Sequence, residues 1–365
     1  MYSIQLGSKL LLLSALIALP LSAQAEQAIA YKVTQLAGEN STATAINNAG
    51  EATGWDSGYA FLHSRGVLTS LGAPPGGSAS VGRGINDAGQ VAGEADHVLP
   101  AGGFLYSKGV MTDIGALSNA NFTIGEDINN KGQIVGTSWV DLSWFAFLYQ
   151  DGVMQNLGSL PEGDHSSAYA INNRGQVVGL AGWPEHSPRA QHSRAFLYDQ
   201  GMMRDLGTLG GPSSVAFGIN ERGQVVGTST VADDGLWDWH AFMFENGTMR
   251  DLGRPSGGGS GFVAEAINNR GQVVGSFTYN GEPRGFIYDK RQGMHDLNGL
   301  IDPGAGWTII NANDINDSGQ IAGLGSRNGQ LVAIRLDPVP GGSADADSAA
   351  ADTASEPATG GSQAQ

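Results

Sequence analysis

The chain contains no cysteine. That excludes a disulfide framework, a thiolate metal site and a lipid-acceptor cysteine after a leader. Charge is sparse as well, with 15% Asp, Glu, Lys and Arg, and basic residues are scarcest: 19 Lys+Arg face 35 Asp+Glu, net −16. Phosphate backbones and anionic lipid surfaces repel such a chain, so nucleic acid and membrane surfaces are poor partners. No HExxH, CxxC, GxSxG or phosphate-cradling G-x-x-x-x-G-K-[ST] segment occurs, so no catalytic motif, metal site or cofactor is assigned. Long apolar runs are missing too, except one at the start.

That run, Leu10 to Leu21, follows a single charge at Lys9 and precedes Ala23-Gln24-Ala25, an A-x-A cleavage pattern. Residues 1–25 therefore read as a signal peptide cut after Ala25, placing the product in the periplasm or outside the cell. The run is too short for a comfortable membrane span. Cleavage removes Lys9 and leaves 18 basic against 35 acidic residues, net −17. No second apolar stretch follows, so no membrane span is expected in the mature chain, and a monomer is expected. Residues 26–30 form a short lead-in, 31–338 the folded domain, and 339–365 a tail rich in Ala, Ser, Asp and Gly. The tail has too little apolar surface to offset the entropy of ordering and reads as disordered.

Glycine is abundant, 56 of 365 residues, and falls at fixed positions. Seven times the chain repeats Ile, Asn, two variable residues and Gly, with a second Gly eight residues after the Ile. The isoleucines are Ile46, Ile85, Ile128, Ile171, Ile219, Ile267 and Ile315, spaced 39, 43, 43, 48, 48 and 48 residues apart. A period of this size means one supersecondary unit stacked repeatedly. Around Ile171 the unit reads as four short strands: Ser167–Ile171, Gln176–Gly179, Ala195–Tyr198 and Met202–Leu206. The Asn suits an Asx-type cap and the Gly a positive-φ site, where a Cβ costs about 1 kcal/mol. Three residues before each Ile stands only Ala or Gly, as an innermost strand requires where sheets converge. The Phe of the third strand (Phe61, Phe104, Phe147, Phe196, Phe242, Phe286; Ile334 in the last copy) should fill the wider space between sheets.

Six copies have a fourth strand; the last stops at Asp337. The N-terminal segment Tyr31–Leu36 aligns with fourth strands such as Met249–Leu252. It can complete the last sheet, which predicts an all-β, seven-bladed β-propeller of four-stranded blades closed by an N-terminal outer strand. The I-N-x-x-G-Q-V-V-G segment, the AFLY strand and Asp205–Gly211 (D-L-G-T-L-G-G) resemble the HAF repeats over residues 31 to 337. That family of extracellular repeat proteins is named for a His-Ala-Phe motif. The resemblance implies export and a repeat fold, and no particular activity. The eponymous His occurs once, in His240-Ala241-Phe242, with Tyr59, Gly102, Phe145, Arg194, Arg284 and Val332 elsewhere, so the position is expected to carry no shared chemistry.

In such a ring the connections from strand two to three share a face with those from strand four to the next strand one. The tryptophans are expected there: Trp55, Trp139, Trp144, Trp183, Trp237 and Trp239 in two-to-three loops, and Trp307 before the last inner strand. Trp139, Trp144, Trp183, Trp237 and Trp239 are the candidate ligand-binding residues, as platforms for a sugar or an apolar ligand. The leading expectation is an exported, non-catalytic module whose aromatic face binds a glycan or an envelope or extracellular protein. The alternative is a hydrolase or lyase acting on an extracellular polymer, with His192, Arg194, Asp238 and His240 as candidate catalytic residues. A purely structural role in an envelope assembly is a third. Glu185, His186, Arg189, Asp233 and Asp234 share the same loops. Near the axis, Arg83, Glu126, Asp127, Glu265 and Asp314 are expected to pair as ions between neighbouring blades.

Overall fold

The structure, a computed structural model, describes residues 30–340 except 75, 97–101, 142, 184–191 and 233–237. The signal peptide, the tail from residue 341, Trp237, and the loop residues Glu185, His186, Arg189, Asp233 and Asp234 lie outside the described residues. Seven antiparallel four-stranded sheets surround one axis, and the fold is a seven-bladed β-propeller. Blades one to six span 41–72, 79–113, 120–156, 165–205, 210–251 and 260–296. Blade seven takes three strands from Trp307–Ile315, Ile321–Arg327 and Gln330–Pro338, and its outer strand from Tyr31–Glu39. That strand pairs Tyr31 with Pro338 and Gln35 with Ile334, as the missing fourth strand requires. Tyr31 and Ala30 also donate to Leu300 O, at 3.0 and 2.9 Å, which fixes the seam against the link between blades six and seven.

The recurrent residues act as the period demands. Ala43, Ala168, Ala216, Ala264 and Ala312 are fully buried, and the six third-strand Phe side chains and Ile334 are 0–1% exposed. The second glycine is dictated by distance. A Cβ on Gly54, Gly93, Gly136, Gly179, Gly227, Gly275 or Gly323 would stand 1.9–2.1 Å from a first-strand carbonyl oxygen. The turn glycine has φ from 71° to 84° in all seven copies, a region that favours residues without a Cβ.

The turn asparagine does more than cap. Asn172 Oδ1 accepts from the N–H groups of Arg174 and Gln176, both at 3.0 Å. Its Nδ2 donates to Gln176 Oε1 at 2.8 Å and crosses to Asn220 O in the next blade at 3.1 Å. The crossing bond recurs from Asn47 to Asn86 and so on around to Asn316, which donates back to Asn47 O at 2.9 Å. The following residue makes a second closed ring. The N–H groups of Asn48, Asp87, Asn130, Asn173, Glu221, Asn269 and Asp317 each donate to the next blade's side-chain oxygen at 2.7–3.0 Å. Farther from the axis, a serine five residues before the Ile ties neighbouring blades. Ser80, Ser166 and Ser214 accept from Ala60, Ala146 and Ala195 N–H, and Ser41 accepts from Ala333 N–H.

Candidate functional site: the channel and the upper rim

Each inner strand carries a β-bulge immediately after its small residue. The extra residue has no cross-strand partner and is released from the pleat. Around the ring these residues are Thr44, Arg83, Glu126, Tyr169, Phe217, Glu265 and Asn313, and together they line a channel cavity of about 160 Å³. A second cavity, about 180 Å³, opens among the one-to-two turns on the lower face and is lined by the seven isoleucines, the asparagines and the residues after them. Ile219 and Ile267 line both cavities, so the isoleucine ring separates them along the axis.

The upper cavity is acidic and its groups are strained electrostatically. Arg83 pairs with Glu94 of its own blade at 2.5 Å and with Glu126 of blade three at 3.7 Å. Burial raises the Glu126 carboxyl against the pull of Arg83. Asp127 accepts from Ile128 N–H at 2.7 Å and from Ile171 N–H of blade four at 2.9 Å. Asp314 does the same with Ile315 and with Ile46 of blade one, both at 2.8 Å. Burial outweighs these donors and pushes Asp127 up to about 6 and Asp314 to about 7. Glu265 is pushed to about 7 by burial alone. Among the described residues the expected ion pairing between blades is thus found only for Arg83 and Glu126. Asp127 and Asp314 instead clasp backbone N–H groups of two blades, because among the described residues no cation pairs with them and the isoleucine N–H donors do.

The upper rim carries the aromatics, at strand ends more than in loops. Trp139 and Trp144 are cross-strand partners in blade three, and Trp239 opens the third strand of blade five. Trp55 lies in the second strand of blade one and Trp307 opens the inner strand of blade seven. Among the described tryptophans only Trp183 follows a strand end, and it is buried at 5% exposure in the blade-four core, with its indole N–H donating to Pro161 O at 3.3 Å. The strands run beyond the repeat pattern, which is why residues expected in loops are paired. Phe122, Trp139, Trp144 and His165 form a half-buried strip across blades three and four, with successive ring centroids 5.5, 6.4 and 4.4 Å apart.

The candidate catalytic residues fall into two separate places. Asp238 and His240 meet in blade five. His240 Nδ1 lies 2.6 Å from Asp251, its Nε2 3.3 Å from Asp238, and Arg254 contacts both Asp238 and His240. Burial works to raise Asp238, but Arg254 and His240 outweigh it and hold the carboxyl below its usual range. Arg194 belongs to blade four, 3.6 Å from Asp205, and its guanidinium lies over Trp183 at 5.9 Å. His192 stands just before the same strand. Among the described residues no hydrogen bond or ion pair joins the two groups.

The position named for histidine does carry a shared role in three blades. Arg194, His240 and Arg284 each reach the carboxylate closing the adjacent outer strand: Asp205, Asp251 and Asp296. Those aspartates also accept from the N–H two residues on, as Asp113 and Asn156 do in blades two and three. The His240–Asp251 contact is therefore one version of a strand-end tie.

No family model matches the chain, and no curated protein matches it in sequence. Among solved structures, the chain is similar to the β-propeller domain of the trilobed protease from Pyrococcus furiosus, described as having an open velcro topology. The TM-score is 0.52 at 10% identity, covering 85% of this chain and 94% of that one. A gluconolactonase from Xanthomonas campestris aligns at TM-score 0.42 and 9% identity, over 87% and 93% of the two chains. TolB from Acinetobacter baumannii aligns at 0.45 and 11%, over 85% and 65%. The class is defined by fold, that of the β-propellers, which host many unrelated activities.

Proposed function

We propose that the protein is an exported, non-catalytic binding module of the HAF-repeat type, taking a glycan or an extracellular protein on its upper rim. One observation carries this reading: the Phe122–Trp139–Trp144–His165 strip, half-exposed on the face where the repeats disagree. Aromatic faces with adjacent polar tips suit sugar rings and apolar side chains alike. Trp239 is half-buried at the same rim, whereas Trp183 serves the core and leaves the candidate set. The test is a glycan and polymer array probed with the purified chain and with a Trp139→Ala/Trp144→Ala variant. Binding that the double variant loses supports the reading; unchanged binding by that variant removes the strip from it.

A second reading, a hydrolase or lyase of an extracellular polymer, draws support from His240 lying between Asp238 and Asp251 with Arg254 alongside. A histidine held by two carboxylates can move a proton. Its strand-end tie to Asp251 accounts for half of that geometry without a substrate. Turnover of any polymer on the same array that survives His240→Ala would remove this residue from the mechanism.

A further inference from the structure

The bulge ring is one backbone device presenting seven side chains of six types, and their order around the axis is uneven. Glu126, Tyr169, Phe217 and Glu265 come from blades three, four, five and six in succession. The two rings in the middle pack 5.3 Å apart between centroids, and a carboxylate flanks them on each side. Arg83, the cavity's one cation, is already engaged by Glu94 and Glu126. Asp127 and Asp314 have both oxygens occupied by backbone N–H groups. Glu265 differs: among the described residues it makes no hydrogen bond or ion pair, and it faces the cavity from a half-buried position. A carboxylate so placed lacks the partner that burial ordinarily demands.

We propose that the upper channel cavity binds the ammonium head of a small organic amine, seated on the Tyr169–Phe217 pair between Glu126 and Glu265. The charge sign calls for a cation. A metal ion does not fit, because among the described residues no three acidic or histidine side chains lie close enough together to hold one. An ammonium group with a short carbon stem fits both walls: the aromatic faces attract it, and Glu265 supplies a charge-assisted hydrogen bond. At about 160 Å³ the cavity holds roughly five waters at ~30 Å³ each, which is space for a head group and excludes a polymer. The site shares no residue with the aromatic strip of the rim, so either can fail without the other.

Isothermal titration of the purified chain with n-butylammonium chloride, 1-butanol and sodium butyrate tests this. Saturable binding is expected for the ammonium ion, with the neutral and anionic analogues weaker by about tenfold or more, the scale of one charged contact. Glu265→Gln should weaken the amine by about tenfold and Phe217→Leu by several-fold. Glu265→Gln is isosteric and removes a lone buried carboxyl, so its melting temperature should hold or rise, which separates lost binding from lost fold. Trp139→Ala/Trp144→Ala should leave amine binding unchanged. No saturable binding up to about 100 mM, equal binding of butanol, or undiminished binding by Glu265→Gln would each overturn the proposal.

Discussion

Two rings of side chains lie a few residues apart on the same seven strands and follow opposite rules. In the lower ring every blade offers Ile and Asn, and every Asn makes the same bond to its neighbour. In the bulge ring no residue type dominates: Thr, Arg, Glu, Tyr, Phe, Glu and Asn succeed one another. The backbone is equally regular in both, since the bulge recurs in every blade. The difference lies in what the side chain must do. An asparagine that satisfies two turn N–H groups and bridges two blades cannot be exchanged without orphaning polar groups. A bulge residue has left the sheet's pairing: Thr44 and Asn313 still donate to a carbonyl of the next blade and Arg83 pairs with Glu126, but among the described residues Tyr169, Phe217 and Glu265 make no hydrogen bond across blades, so they are free to differ and to meet a ligand.

That contrast can be broken from either side. The largest effect should come from deleting Tyr31–Glu39, which strips blade seven of its outer strand and exposes Gln330–Pro338 as an edge. A loss of at least about 5 kcal/mol, comparable with the whole stability of many domains, is expected, read as loss of a cooperative melt. Next is Gly227→Ala, whose Cβ would meet Val215 O at 2.0 Å. A cost of about 3–4 kcal/mol is expected from the forced separation of two strands, measured by denaturant unfolding. Asn172→Ala removes four hydrogen bonds in the uniform ring and should cost about 2–3 kcal/mol. Phe217→Leu in the variable ring should stay within about 1 kcal/mol. Equal costs at these two positions would erase the distinction.

The remaining effect concerns pH. Glu265 has a folded-state value of about 7, raised by burial from an ordinary 4.5. Between those values the folded protein holds a proton that the unfolded chain has released, so stability falls as pH rises from about 4.5 to 7 and is level above. Asp314, raised to about 7, and Asp127, raised to about 6, add slopes of the same sign from 3.8 upward. Melting temperature should therefore be higher at pH 5 than at pH 8. Glu265→Gln should flatten part of the decline, by about 1–2 kcal/mol after allowance for partial exposure. A variant with the wild-type slope would show that Glu265 is solvated in the folded state.

The architecture was legible because its determinants are local and repeated. Turn chemistry places Asn and Gly, strand convergence selects Ala or Gly, and a missing fourth strand at one end matches a spare strand at the other. The interblade rings were not legible, since one Asn serves equally well as a cap with or without a neighbour to donate to. The serine five residues before the Ile was a signal available in four copies, with Thr123 at the same place in a fifth, and could have revealed the blade-to-blade ties. The bulge ring was hidden for another reason. A bulge follows from the register of two strands, and the residue it releases has no type of its own. Trp55, Trp139, Trp144 and Trp239, expected in loops, lie one or two residues inside strands because strand ends at the upper rim vary where turn signals are weak. The shared role of the His240 position was not legible because its equivalents, Arg194 and Arg284, do the same work with a different side chain.

Val339 N–H donates to Ala30 O at 2.9 Å, so the two ends of the folded chain emerge side by side on the outside of blade seven. Pulled apart by whatever is joined to them, they would load a single outer seam, the pairing of Tyr31–Glu39 with Gln330–Pro338. The asparagine circle at the axis is perpendicular to that path and has no beginning or end of its own. Mechanically the molecule is a closed hoop carried on a peelable strap, and tension opens the strap before it reaches the hoop.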